Sequence, residues 1–376
     1  MRVAIIIDTL NIGGAQKLIT SFVSAVPKQS IQPTVVSLRD HAAPVNLALI
    51  HSADVDVRIF PSHSLLNLGR LRQLIHFLRA EKFDLIHTHL SYANILGCLA
   101  GYYAGIPVIA TLHSTGHDSY RKSGLLIRLE GVILHYFARR IVAVGHLVAA
   151  AYRRRLGSRP IDVIPNGVPT PVQLSPQSRQ QLRREFTGDE DRMIIISVGR
   201  LVRAKGYEDL IEAFAILHRQ DPRPVLVIAG GGRLFDTIKK KLAEKNLEDS
   251  IYCLGERNDI PQLLAASDIY AISSHREGLP VALLEAMMTG LPIVATSVGD
   301  IPHVVTPEIG ILVPPRRPDC LAEALSDLIS APEKANAMGQ AAGLRARQEY
   351  SLEAWVEKLT SLYEETLQSS RMRART

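Results

Sequence analysis

The sequence predicts an α/β protein made of two doubly wound parallel-sheet domains, and three observations carry that prediction. From Arg2 to Ile164, short β-branched runs alternate with segments of helical period. A second alternating series opens on the near-continuous apolar run Met193-Ile194-Ile195-Ile196-Ser197-Val198-Gly199, the pattern of a strand buried on both faces. Between them, residues 169 to 181 are rich in Pro, Gln and Ser and read as a surface connection.

In the first series the expected strands are 2 to 8, 33 to 38, 55 to 60, 83 to 88, 107 to 111 and 140 to 144. Helices are expected near 15 to 26, 67 to 80, 92 to 104, 124 to 138 and 145 to 155. Ligands on such sheets bind at the C-terminal strand ends. The first such end, Asp8-Thr9-Leu10-Asn11-Ile12-Gly13-Gly14, opens into a helix. Its paired glycines give a phosphate or sugar close access to backbone, although G-x-G-x-x-G is absent and by spacing alone a plain tight turn fits better. The strand before His113 places an imidazole at another such end, where it could donate to a sugar hydroxyl or simply bond to backbone. His87 and His89 share a strand face, and with His113 and His117 they could be drawn as a metal site. No acidic ligand joins them, so none is assigned. Asp54-Val55-Asp56 precedes a strand and is read as chance.

In the second series Arg200 and Lys205 lie on the loop after the first strand, a planar fork and a point charge suited to phosphate oxygens. An amphipathic helix follows from Tyr207 to Arg219. Gly230-Gly231-Gly232 ends the next strand, and residues 251 to 255, 268 to 272 and 292 to 296 supply three more. Helices near 318 to 330, 332 to 348 and 352 to 367 close the chain, the last with an apolar face of Trp355, Leu359, Leu362 and Tyr363 and a frayed tail from 368.

The stretch from Ser273 to Gly299 carries the chemistry. Pro280 suits the start of a helix that runs to Thr289 and stops at Gly290. Within that apolar helix Glu285 is the sole charge, and Glu277 lies eight residues earlier at its positive end. The amides of Gly278, Leu279 and Val281 there can face an anion. Singly, Glu285 could pair with a buried Arg and Glu277 could be a solvated helix-start acid. Together they frame a ligand with phosphate in the middle and hydroxyls at both ends, which a nucleotide sugar is.

This segment resembles the Glu-x7-Glu signature of family 4 retaining glycosyltransferases of the GT-B fold, and the resemblance covers nearly the whole chain. Gly199-Arg200-x4-Lys205-Gly206 is similar to the family's pyrophosphate motif, and Pro165-Asn166-Gly167-Val168 to its interdomain element. Ser297 to His303 resembles the Gly-Gly-x-Pro-Glu loop, with departures at Asp300 and His303. The resemblance implies two facing Rossmann-like domains. These are an acceptor-side domain 1–168, a linker 169–191, a donor domain 192–350, and a C-terminal segment 351–376 crossing back. It also implies that Arg200 and Lys205 neutralise the donor diphosphate with the amides of Gly278, Leu279 and Val281 nearby, Pro280 lying in the same donor-binding segment. Glu285 would bind ribose, Glu277 and His113 the sugar, Gly13 and Gly14 the diphosphate and acceptor, Gly230 the nucleotide, and Leu254 the base edge.

The implied reaction moves a sugar from a UDP- or GDP-linked donor to a saccharide or lipid-linked hydroxyl in bacterial polysaccharide, lipopolysaccharide or glycolipid assembly. No further cofactor is expected. A same-fold epimerase or phosphorylase, or a non-catalytic nucleotide-sugar-binding subunit, would share these residues. Three widely spaced cysteines suit a reducing cytosol, and the short apolar N-terminus reads as a strand rather than a leader. Leu90 to Leu112 is uncharged, but Gly105-Ile106-Pro107 interrupts it. Residues 1 to 170 hold 18 basic and 9 acidic residues within a net charge of +6. Arg121, Lys122, Arg128, Arg139, Arg140 and Arg153 to Arg155 beside apolar neighbours could rest on an anionic leaflet, or meet an acidic partner. No aromatic platform accompanies them, so nucleic acid is not expected. The expected location is cytoplasmic, with peripheral contact at the inner leaflet.

Overall fold

The computed structural model describes residues 1–61, 67–115, 124–190 and 192–373. His117, Arg121 and Lys122 therefore lie outside the described residues. The chain forms two compact units, one of Met1–Gly167 with the chain from Leu352 on, the other of Val168–Ser351.

The first unit runs β1 (Arg2–Ile7), α1 (Gly14–Ala25), β2 (Gln32–Ser37), α2 (Pro44–Ser52), β3 (Asp56–Ile59), α3 (Leu68–Ala80), β4 (Leu85–His89), α4 (Ser91–Ala104), β5 (Val108–Leu112), α5 (Gly124–Phe137), β6 (Arg140–Ala143), α6 (His146–Leu156) and β7 (Asp162–Val163). Its parallel sheet has the order β3-β2-β1-β4-β5-β6-β7. The strand order reverses between β1 and β4, whose C-terminal ends carry the Asp8–Gly14 loop and His89. The uncharged stretch 90–112 divides into α4 and β5 at Gly105, which has φ +74°. Among the described residues no helix is long and apolar enough to cross a membrane.

The second unit runs α7 (Pro176–Thr187), β8 (Ile194–Val198), α8 (Tyr207–Gln220), β9 (Val225–Ala229), α9 (Phe235–Lys245), β10 (Ile251–Gly255), α10 (Ile260–Ala266), β11 (Ile269–Ile272), α11 (Val281–Thr289), β12 (Ile293–Thr296), α12 (Ile301–Val304), β13 (Gly310–Val313), α13 (Pro318–Ser330) and α14 (Pro332–Glu349). Its sheet has the order β10-β9-β8-β11-β12-β13, reversing between β8 and β11. The stretch read as a connection contains α7, because Ser175 caps it through the Ser178 amide and Pro176 occupies its first turn. Val168 and Ser351, where the chain enters and leaves this unit, form a parallel bridge.

The last helix, α15 (Leu352–Arg373), packs on the first unit. Trp355 and Tyr363 stand edge-on to Phe22 of α1 at centroid distances of 5.9 and 6.0 Å. Residues 368 to 373, expected to fray, remain helical. The Arg139 guanidinium donates to the Ser369 carbonyl at 3.1 Å, and Ser369 and Ser370 each donate to the Thr366 carbonyl. That anchors the end of the helix.

Candidate functional site

The strand-order reversal of the second sheet is where Lys205, Glu277 and Glu285 converge. Gly206 has φ +63°, and a Cβ there would lie 2.1 Å from the Ser273 carbonyl oxygen, so only glycine lets the loop after β8 approach the end of β11 this closely. The contact is sealed by the His275 amide donating to the Ala204 carbonyl at 2.8 Å and the Ser273 hydroxyl donating to the Lys205 carbonyl at 3.1 Å. From β12, Thr296 donates to the Ser274 carbonyl at 2.6 Å and the Asp300 amide to the Gly278 carbonyl at 3.0 Å. Gly299, at φ +57°, passes so close that a Cβ would sit 2.4 Å from the Glu277 carbonyl oxygen. Three strand ends thus hold one loop.

In this frame Lys205 Nζ donates to Glu277 Oε1 at 2.5 Å, and the Ser274 hydroxyl donates to the same oxygen at 2.6 Å. The two charged side chains are only 24% and 10% exposed, so each is the principal compensation for the other's desolvation. Asp209, in the first turn of α8, pairs with His275 Nε2 at 2.7 Å and ties the same loop to α8. Pro280 is the residue before α11 rather than its first helical one, with extended ψ, and it opens the helix beside Glu277. Glu285, in the second turn of α11, is buried at 9% exposure. The Arg200 side chain is exposed and makes no hydrogen bond or ion pair to another described residue, while its carbonyl accepts from the Val202 amide at 2.8 Å.

Two tyrosines that sequence reasoning missed join this group. Tyr207 donates to the Gly199 carbonyl at 3.1 Å, and burial pushes its phenol up, with Glu277 adding to the effect. Tyr270 on β11 is 1% exposed, and its phenol is raised by burial first and then by Tyr207, Glu277 and Glu285. Both carboxylates therefore act on it. No periodicity signals this, since an alternating tyrosine in a buried strand reads as core.

The glycine run after β9 serves close backbone packing. A Cβ on Gly230 would lie 2.0 Å from the Gly199 carbonyl oxygen and one on Gly232 2.6 Å from that of Leu201, both at φ near +150°. The run packs against the loop that carries Arg200. Leu254 sits at the register break between Cys253 and Gly255, half-buried and outside regular pairing.

In the first unit, Gly13 precedes α1 with extended backbone, and a Cβ there would meet Gln16 Oε1 at 2.5 Å. The glycine supplies room, and Gly14 beside it is exposed. His113 Nε2 is hydrogen-bonded to His89 Nδ1 at 2.9 Å, while His87 is bonded through Nδ1 to Tyr363 at 2.6 Å and through Nε2 to Thr111 at 2.7 Å. Burial lowers all three imidazoles, His113 to about 4 and His87 to about 3. They are neutral at neutral pH. Buried Glu130 accepts from Asn94 at 3.1 Å and from Tyr152 at 3.2 Å, and Thr88, between His87 and His89 on β4, donates to Asn94.

Two family models match the chain, glycosyltransferase family 4 over residues 12–171 and glycosyl transferases group 1 over residues 178–345. An Escherichia coli UDP-Gal:α-D-GlcNAc-diphosphoundecaprenol α-1,3-galactosyltransferase is 32% identical over 243 residues, spanning 62% of this chain and 62% of that protein's length. A Corynebacterium glutamicum GDP-mannose-dependent monoacylated α-(1-6)-phosphatidylinositol monomannoside mannosyltransferase is 28% identical over 93% of this chain and 94% of its own. Among solved structures, Anabaena Alr3699/HepE in complex with UDP-glucose superposes with a TM-score of 0.87 at 23% identity, over 98% of this chain and all of that one. The two parallel-sheet Rossmann-like domains expected of the GT-B fold are thereby confirmed.

The histidine cluster makes a pH prediction. An imidazole lowered from 6.5 in the folded state binds its proton less readily than in the unfolded chain, so folding stability is complete above about pH 6.5 and falls as pH drops toward about 4. The slope is about 1.4 kcal/mol per pH unit for each proton. Melting temperatures between pH 7 and pH 4 should fall, and less steeply in His113→Gln; equal slopes would contradict the cause assigned here.

Proposed function

The chain belongs to the family 4, group 1 glycosyltransferases, and on that premise we propose that it transfers a sugar from a nucleoside diphosphate sugar to an acceptor hydroxyl with retention at the anomeric carbon. The supporting observation is the Lys205–Glu277 pair at the strand-order reversal, beside the start of α11. A diphosphate entering there competes for Lys205. Its oxygens take the ammonium and the exposed Arg200 guanidinium, while the α11 N-terminus adds partial positive charge. Glu277, released from Lys205 but still held by Ser274, is then an acceptor for sugar hydroxyls. Charge that develops on the leaving diphosphate as the glycosidic bond breaks is stabilised by groups already in place, which is the main way such a site lowers the barrier.

Within this proposal Glu285 binds the ribose hydroxyls, His113 meets a sugar hydroxyl, Gly13 and Gly14 leave room beside α1, and Leu254 borders the base. No cofactor is required beyond the nucleotide sugar. The relatives named above use UDP-galactose and GDP-mannose, and HepE binds UDP-glucose, so UDP- and GDP-sugars are the donors to test. The acceptor class we propose is lipid-linked. Along α5, Leu125, Arg128, Val132 and Tyr136 fall on one exposed stripe, with Leu125, Val132 and Tyr136 at 76, 52 and 73% exposure. Tyr102 and Tyr103 of the adjoining α4 extend it, and Tyr102 packs on Phe137 at 4.9 Å. An apolar stripe with aromatic and basic side chains suits the interfacial zone of an anionic leaflet.

Transfer should be seen with a polyprenyl-diphosphate-linked sugar as acceptor in the presence of EDTA, with the α-configuration of an α-linked donor kept in the product by NMR. Lys205→Ala and Glu277→Ala should each lower kcat by on the order of 100-fold. Their double variant should lose little more than either, because the two act as a unit. Fully additive losses would reject the pairing as functional. Vesicles rich in phosphatidylglycerol should retain the wild type on flotation and release Leu125→Glu/Tyr136→Glu with its circular dichroism unchanged; equal retention would reject the docking stripe.

A further inference from the structure

His89 lies on the same face of β4 as His87, and the parallel register pairs it with Thr111 of β5, two residues before His113. The imidazoles of His89 and His113 are hydrogen-bonded at 2.9 Å with ring centroids 5.2 Å apart. A bond between two neutral imidazoles needs an N–H on one ring and a lone pair on the other, so it sets both tautomers at once. The next residue, Leu90, has φ +73° and ψ 165°, a region that side chains other than glycine avoid. Asp8 Oδ1 accepts from the Ala93 amide at 2.7 Å, fastening the start of α4 just beyond that strained residue. Strain kept at a strand end beside a histidine pair with one ring buried and the other half-buried, at the sheet's strand-order reversal, points to a positional demand on those rings rather than to packing alone.

We propose that His89 is a positioning residue for His113, accepting the His113 Nε2–H at its own Nδ1 and leaving His113 Nδ1 as a bare lone pair for a ligand hydroxyl to donate to. The direction follows from imidazole chemistry. A neutral imidazole by itself favours the Nε2–H tautomer, and donation from His113 to His89 keeps both rings in that form. The opposite direction puts both in the less favoured one. His89 then carries its remaining proton on Nε2, and a cavity of about 10 Å³, bordered by His87, His89, Thr111, His113, Asn166 and otherwise mainly apolar side chains, adjoins the pair. His87 cannot take over this duty, since both its nitrogens are committed to Tyr363 and Thr111. The ligand group at His113 is thus a hydroxyl acting as donor, the reverse of the direction expected from sequence. This inference rests on the assignment of His113 to the sugar under Proposed function.

The test is the imidazole ¹⁵N spectrum of the full-length protein labelled at histidine, ligand-free at neutral pH, for wild type, His89→Phe and His89→Asn. The expected wild-type His113 has a proton-bearing Nε2 and a bare Nδ1. In His89→Phe its two nitrogens should move toward an averaged tautomer mixture, with kcat/KM falling on the order of tenfold. His89→Asn, whose Oδ1 can accept where Nδ1 did, should restore both readings. A wild-type His113 protonated on Nδ1 overturns the inference, as does a His113 spectrum unchanged in His89→Phe. Should His89→Phe fail to fold, the wild-type and His89→Asn spectra still decide. Because the spectrum is read without ligand, a wild type that transfers sugar yet carries the proton on Nδ1 rejects the inference and leaves the transfer standing.

Discussion

Lys205 and Glu277 are 72 residues apart in sequence and meet through a 2.5 Å hydrogen bond because backbone from two neighbouring strand ends can nearly touch. The permission comes from Gly206, whose missing Cβ leaves space for the Ser273 carbonyl. Gly299 grants a similar approach on the β12 side, and Gly230 and Gly232 do so between the loops after β8 and β9. Each contact is backbone against backbone. A side chain at any of these positions would push the strand ends apart and separate the ion pair. Placing partly buried opposite charges in this cradle makes their partner choice the site's variable, since either charge left alone is costly.

The first unit solves a related problem with neutral groups. It buries two imidazoles, half-buries a third, and buries a carboxylate, an amide and several hydroxyls near the C-terminal ends of β4 and β5, and hydrogen bonds among them replace the water they lose. Tyr363 arrives from α15 to complete the set, so the end of the chain contributes to the order of a site built near its beginning. Keeping the histidines uncharged favours directional hydrogen bonding over charge. This differs from the charge-based arrangement in the second unit.

Much of this was legible in the sequence. Parallel strands buried on both faces must be apolar and β-branched, so β1, β8, β9 and β11 announced themselves. Glu277, Glu285 and Lys205 stood out because charge is rare in such surroundings and their spacing matched a known signature. Other elements carried no comparable signal. β13 has four residues and begins at Gly310, α2 exposes much of its surface, and α9 is dominated by lysines with two buried residues. The positive φ of Leu90, the electrostatic reach of Tyr270 and the pairing of His89 with His113 depend on tertiary placement alone. The close approach of Gly230 to the Gly199 carbonyl likewise depends on tertiary placement.

The account stands or falls on whether the strand-order reversal of the second sheet receives a nucleoside diphosphate with its ribose on Glu285. The direct measurement is a calorimetric titration of UDP, GDP, ADP and NAD into the wild type and Glu285→Ala. The account predicts micromolar binding of one nucleoside diphosphate and its weakening by about tenfold or more in the variant, as loss of a charged hydrogen-bond acceptor implies. Binding of none, binding of NAD alone, or equal affinity in Glu285→Ala would contradict it.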